Sequence, residues 1–82
     1  MEAIKSKVRG FVIANFLFGE ANGLKDDTSF LEAGILDSTG VLEVVGFLEE
    51  EFGLRVDDEE LIPENLDSVA SIGEFVSRKL KV

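Results

Sequence analysis

Ser38, preceded by Asp37, stands where a loop-like stretch beginning near Gly19 gives way to the most regular amphipathic run of the chain, Val41 to Phe52. A small hydroxyl at a helix N-terminus can accept a free backbone N–H, and the aligned peptide dipoles favour negative charge there. A phosphate ester on that oxygen would be well placed. The same position serves equally for a plain N-cap, formed by Ser38 or by Asp37, with no chemistry at all.

The absent residue types narrow the possibilities. The 82 residues contain no cysteine and no histidine. Disulfides, thiolate zinc sites, cysteine nucleophiles, Ser-His-Asp arrangements and imidazole metal ligands are therefore all excluded. Asp57-Asp58-Glu59-Glu60 has the charge for calcium but not the spacing of an EF-hand loop, so no metal site is expected. A chain of this length makes one domain, 1–82, burying roughly 60–65% of its unfolded surface around a narrow core. A deep catalytic pocket does not fit in it, and no enzyme is expected.

The net charge of −9 arises from 17 acids against eight bases. Between Asp26 and Asp67 fourteen acids face a single base, Arg55, while Lys5, Lys7, Arg9, Arg78, Lys79 and Lys81 lie near the ends. Such a middle repels nucleic acid and anionic membranes and either steers towards a basic protein partner or serves only as a solvated acidic surface that keeps the chain soluble. With no bilayer-length apolar run and no signal-peptide core, the reading is a cytoplasmic protein, monomeric because its exposed faces are charged.

The elements that must position Ser38 follow from periodicity. Ile4, Val8, Phe11, Val12 and Phe16 draw one apolar stripe along a first helix, which Ile13, Leu17 and Phe18 widen near its end, predicting packing on two sides there. Gly19, with Asn22-Gly23 beyond, ends it. Residues 20–37 form a long connection in which Ser29-Phe30-Leu31-Glu32 fits a capping box, so that a helical turn would pin Phe30 and Leu31 onto the core. Val41, Val44, Val45, Leu48 and Phe52 make the core face of the second helix, leaving Leu42 exposed near Ser38 and Phe47 ambiguous. Gly53 closes it, and Gly40 could permit close approach of a partner. Asp57 to Ile62 reads as a short helix stopped by Pro63, and Asp67-Ser68 caps a last helix with Val69, Ile72, Phe75, Val76 and Leu80 inward. The fold class is all-α: a small bundle of three main helices and one short one, with a long loop between the first two.

Asp37-Ser38, the helix with Glu43 and Glu49-Glu50-Glu51-Phe52, and the later Val56-Asp57-Asp58-Glu59-Glu60 together resemble the phosphopantetheine-bearing region of acyl and peptidyl carrier proteins. The resemblance runs from Ile4 to about Leu80. It implies that Ser38, with Asp37 as motif neighbour, receives a covalent 4′-phosphopantetheine arm from coenzyme A through a phosphopantetheinyl transferase. The arm's thiol would then hold an acyl or aminoacyl group as a thioester, shuttled between enzymes of fatty acid, polyketide or other specialised biosynthesis. The implied partners are an adenylate-forming acyl ligase, synthases and acyltransferases with basic docking patches. They would meet Thr39, Leu42, Glu43, Gly46, Glu49, Glu50, Asp57, Asp58 and Glu59. In fatty acid carriers an apolar chain can tuck between the helices, and the matching positions are Phe30, Val44, Leu48, Leu61 and Ala70, whose other reading is plain core packing.

The sequence departs from the fatty acid pattern after the serine. Thr39 replaces the usual leucine, Gly40 an acid, and Gly46 a bulky apolar residue. With Asn15-Phe16-Leu17-Phe18-Gly19, these changes look more like stand-alone carriers that accompany adenylate-forming ligases. The alternative is an unmodified acidic helical adaptor for a basic partner, in which Ser38 is only a cap.

Overall fold

Four α-helices and one 3-10 turn account for the regular structure of the computed structural model, which describes residues 2–20 and 23–80. They are α1 (Glu2–Phe16), α2 (Ser38–Phe52), the 3-10 turn (Asp58–Glu60), α3 (Pro63–Leu66) and α4 (Val69–Leu80). The expected all-helical bundle with one long first connection is therefore present. Lys81, assigned above to the basic chain end, lies outside the described residues, as does Asn22 of the first turn.

One core joins the helices. Val8 and Val12 of α1, Val44 and Leu48 of α2, Leu66, and Val69, Ile72, Phe75 and Val76 of α4 are buried with Phe30 and Leu36 from the long connection. Helix α1 packs on both α4 and α2. It runs antiparallel to α2, since Lys7 Nζ meets Glu51 Oε2 at 2.7 Å near one end and the Phe16 ring lies against Gly40 at the other. Phe47, ambiguous by helical position, turns inwards. Its ring stacks on Phe11 at 4.2 Å between centroids and meets Phe52 edge-on, while Phe11 meets Phe16 edge-on. Aromatic pairs in these geometries add about 0.5–1.5 kcal/mol each beyond their burial.

The long connection is held by the start of α4. The Phe30 N–H donates to the Asp67 carbonyl at 2.8 Å, and the Ala70 N–H to the Asp26 carbonyl at 2.8 Å. Asp67 adds its side chain: Oδ2 accepts from Ser29 Oγ at 2.5 Å and Oδ1 from the Leu31 N–H at 3.0 Å. From the α1 side, Arg9 Nη2 reaches Asp26 Oδ1 at 2.6 Å and Lys5 Nζ reaches Asp26 Oδ2 at 3.6 Å. A loop with these partners needs no secondary structure of its own to be ordered.

Three local expectations are corrected. Helix α1 ends at Phe16, and Phe18 does not widen its apolar stripe: it lies in a left-handed conformation, φ 55°, with its side chain 93% exposed. The capping box at Ser29 is half made, because Ser29 Oγ accepts the Glu32 N–H at 3.1 Å but donates its own proton to Asp67, and turns rather than a helix follow. Phe30 is pinned in the core as expected, whereas Leu31 is 50% exposed. Pro63 starts a helix instead of stopping one. Its ring supplies a helical φ at a position whose N–H needs no partner, so it opens α3, and the acidic stretch before it makes only a 3-10 turn.

Candidate functional site

Helix α2 begins at Ser38 because Asp37 stops the chain in an extended conformation and caps the first turn. Asp37 Oδ1 accepts the Gly40 N–H at 2.8 Å, and the Asp37 carbonyl takes the Val41 N–H at 3.0 Å. Of the two candidate caps it is thus Asp37 that caps, leaving the Ser38 hydroxyl outside that duty. Ser38 is exposed, at the positive end of a helix of 15 residues. In an α-helix the N–H groups of the first residues find no partner inside the helix.

Gly40 is buried rather than open to a partner, as its position had suggested. A Cβ there would stand 3.1 Å from Leu36 Cδ2 and 3.3 Å from Phe16 Cε1. The glycine lets α1 and the Ile35-Leu36 approach close on α2, which fixes the helix start beneath Ser38. Gly46, by contrast, faces open space.

Two grooves flank the serine. The first, of about 240 Å3, is lined by Leu31, Ser38, Val41, Leu61, Ile62, Pro63, Leu66 and Asp67. It is smaller than the ~300–1,000 Å3 of ordinary small-molecule sites, so it accommodates a short apolar segment rather than a whole ligand. The second groove, on the other side of the helix start, is lined by Phe16, Gly34, Ile35, Leu36, Asp37, Thr39, Gly40 and Glu43. Ser38 lines the first, and its neighbours Asp37 and Thr39 line the second.

The remaining expected residues divide into three settings. Leu42 is 59% exposed one turn beyond Ser38, and Thr39, Glu43, Gly46, Glu50, Asp57, Asp58 and Glu59 are also exposed. Glu49 is half-buried with Oε2 accepting the Val56 N–H at 2.9 Å, so it shapes the exit from α2. Of the residues assigned to an acyl-chain pocket, Phe30, Val44 and Leu48 are fully buried core, Ala70 is half-buried at the start of α4, and Leu61 lines the first groove. Leu31, expected as a core anchor, and Ile62, expected at the end of a short helix, also line this groove and are exposed. Both lie outside the helices, where no periodicity marks them as groove residues.

Chemically, the arrangement offers an exposed hydroxyl on a helix end that favours an anion, beside a short apolar channel. Of the nearby carboxylates, Asp37 is engaged by the Gly40 N–H and Asp67 by Ser29 Oγ and the Leu31 N–H. The arrangement fits a covalent group that begins in a phosphate and continues as an extended, partly apolar chain. The family model for a phosphopantetheine attachment site matches residues 17–76. The chain belongs to that family. Its prosthetic group is 4′-phosphopantetheine, and its role is that of an acyl carrier rather than an enzyme. This carrier is 32% identical over 75 residues to a Serratia sp. (strain ATCC 39006) protein described as "Probable acyl carrier protein PigG", over 92% of this chain and 86% of that one. It is also similar to the solution structure of a holo acyl carrier protein from Nitrosomonas europaea, with TM-score 0.74, 28% identity and full coverage of both chains. A chain from the crystal structure of an FAD-dependent dehydrogenase matches it with TM-score 0.74 and 28% identity, over 83% of this chain and 96% of that chain.

Among the described residues, no helix is long and apolar enough to cross a membrane.

Proposed function

We propose that the carrier bears its arm on Ser38 and moves a small acyl or aminoacyl group, held as a thioester, between a ligase and the enzymes of a specialised pathway. The observation that carries this reading is the separation of duties at the start of α2. Asp37 caps the helix, and Ser38 is exposed, lining one groove while its neighbours Asp37 and Thr39 line another. In the loading step Ser38 Oγ forms a bond to the pantetheine-side phosphorus of coenzyme A. The pyrophosphate P–O bond breaks, adenosine 3′,5′-bisphosphate leaves, and the hydroxyl proton passes to the transferase. The helix end stabilises the resulting phosphodiester charge, and the carrier supplies position rather than a base.

The filled core at Phe30, Val44 and Leu48 supports small cargo, since a close-packed interior has no place for a long chain without opening. The exposed acids Glu43, Glu50, Asp57, Asp58 and Glu59 support encounter with basic patches on a transferase, an adenylate-forming ligase and acyltransferases, with more effect on encounter rate than on lasting affinity.

The test is intact mass after incubation with coenzyme A, magnesium and a broad-specificity phosphopantetheinyl transferase. The parent should gain one phosphopantetheine and Ser38→Ala none. A gain in both would move the attachment site elsewhere.

A further inference from the structure

Phe18 carries two costs that the fold does not explain. A bulky residue at positive φ is a genuine outlier, because the left-handed region crowds any side chain with a Cβ; Phe18 has φ 55°. Its side chain also lies outside the core, 93% exposed, the most open of the exposed large apolar residues. Helix α1 already has its terminating glycine at Gly19, φ 85°, whose N–H returns to the Ile13 carbonyl at 2.9 Å. The turn therefore requires no aromatic ring.

The position of Phe18 gives the ring a use. Phe16, two residues earlier, lies against Gly40 and lines the second groove with Asp37 and Thr39, so the end of α1 and the start of α2 share one end of the bundle. An enzyme acting on cargo at the tip of a long arm need not touch this end, whereas the enzyme that attaches the arm must close on Ser38 itself. Specific interfaces cover about 800 Å2 per partner, a disc of about 16 Å radius, and two residues of chain span at most about 7 Å. A disc centred on Ser38 takes in the end of α1.

We propose that Phe18 is a docking side chain for the transferase that modifies Ser38, seated in an apolar socket with a basic rim. The proposal rests on the reading of Ser38 as the attachment point. Charge supports the choice of partner: Glu20, Asp37 and Glu43 are exposed at this end, and an enzyme that holds the phosphates of coenzyme A brings cationic groups to the same place. Aromatic residues are enriched in interface cores, where a few of them carry most of the binding energy.

The experiment measures initial rates of arm transfer from coenzyme A by a broad-specificity phosphopantetheinyl transferase, followed by intact mass against carrier concentration. The variants are Phe18→Asn, Phe18→Tyr and, as an exposed apolar control at the far end of α4, Leu80→Ser. Phe18→Asn should raise the KM for the carrier about tenfold with kcat unchanged and with no fall in melting temperature, since asparagine tolerates the left-handed region. Phe18→Tyr and Leu80→Ser should keep the parent KM. A parent that gains no mass removes the attachment reading and this proposal with it. A modified parent whose KM is matched within twofold by Phe18→Asn, or an equal rise in Leu80→Ser, overturns the docking role alone.

Discussion

Asp37 Oδ1 accepts the Gly40 N–H at 2.8 Å, across the residue proposed to carry the arm. The cap and the proposed acceptor are thus neighbours with different duties, and mutation should separate them. Ser38→Ala should abolish the mass gain and melt close to the parent. Asp37→Ala should lose about 1 kcal/mol as a missing cap, or about 4–8 °C in a domain of this size. Thermal melts of both variants check this. A Ser38→Ala melt as low as that of Asp37→Ala would mean that the serine shares the cap.

The helical glycines should respond in opposite directions to alanine. Gly46→Ala meets open space and should stabilise by about 0.5–1 kcal/mol through helix propensity. Gly40→Ala places a methyl 3.1 Å from Leu36 Cδ2 and 3.3 Å from Phe16 Cε1, tighter than ordinary contact. The overpacking should outweigh the propensity gain and leave a net loss of about 1 kcal/mol. Denaturant midpoints at constant slope would record both changes.

Acidification should remove the contribution of two carboxylates. The Arg9 guanidinium, hydrogen-bonded to Asp26, holds that carboxyl below its ordinary range, and the Asp57 N–H, followed by Lys79, does the same for Glu60. A carboxyl depressed in the folded state stabilises fully above its unfolded pKa and loses that contribution as pH falls through the folded value. The window therefore opens near the ordinary carboxylate value of about pH 4 and extends downwards. Asp26→Asn and Glu60→Gln should each be less stable than the parent at neutral pH, and the gap should narrow as pH falls below that value. A gap that stays constant to about pH 2 would show that the ion pairs contribute nothing.

Salt should act on the whole charge rather than on the pairs. With net charge −9, self-repulsion at low ionic strength outweighs the few surface pairs, each worth about 0–1 kcal/mol. The melting temperature should rise with added salt or millimolar magnesium. A curve insensitive to both would contradict this balance.

The helices were legible wherever apolar spacing was regular. Val8 and Val12, Val44 and Leu48, and Ile72, Phe75 and Val76 all read as inward and are buried, whereas Leu80, read as inward with the last of these, is exposed at the end of α4. Ser68 read as the cap of α4, and its Oγ accepts the Ser71 N–H at 3.0 Å. The errors fall where one residue type serves opposite ends of an element. Proline can stop a helix or open one, and only the extended Ile62 before Pro63 decides in favour of opening. Phe18 read as core because a hydrophobic pattern records spacing but not the turn that removes a residue from the helix. At the candidate site Ser38 and Asp37 were visible in sequence, but their division of labour was not. Either side chain can cap, and the choice depends on which residue is extended. The groove lined by Leu31 and Ile62 depends on contacts across the chain, to which local periodicity is blind.

The Phe30–Asp67 and Ala70–Asp26 backbone bonds also bear on how the protein is made. A chain leaving the ribosome can wind α1 and α2 early, yet the stretch between them lacks these two anchors until residue 70 has emerged. The stretch from Leu61 to Asp67 that lines a groove with Ser38 is likewise synthesised after α2. A nascent chain thus offers the serine without its surroundings, and the finished setting of Ser38 exists only once residue 70 has emerged.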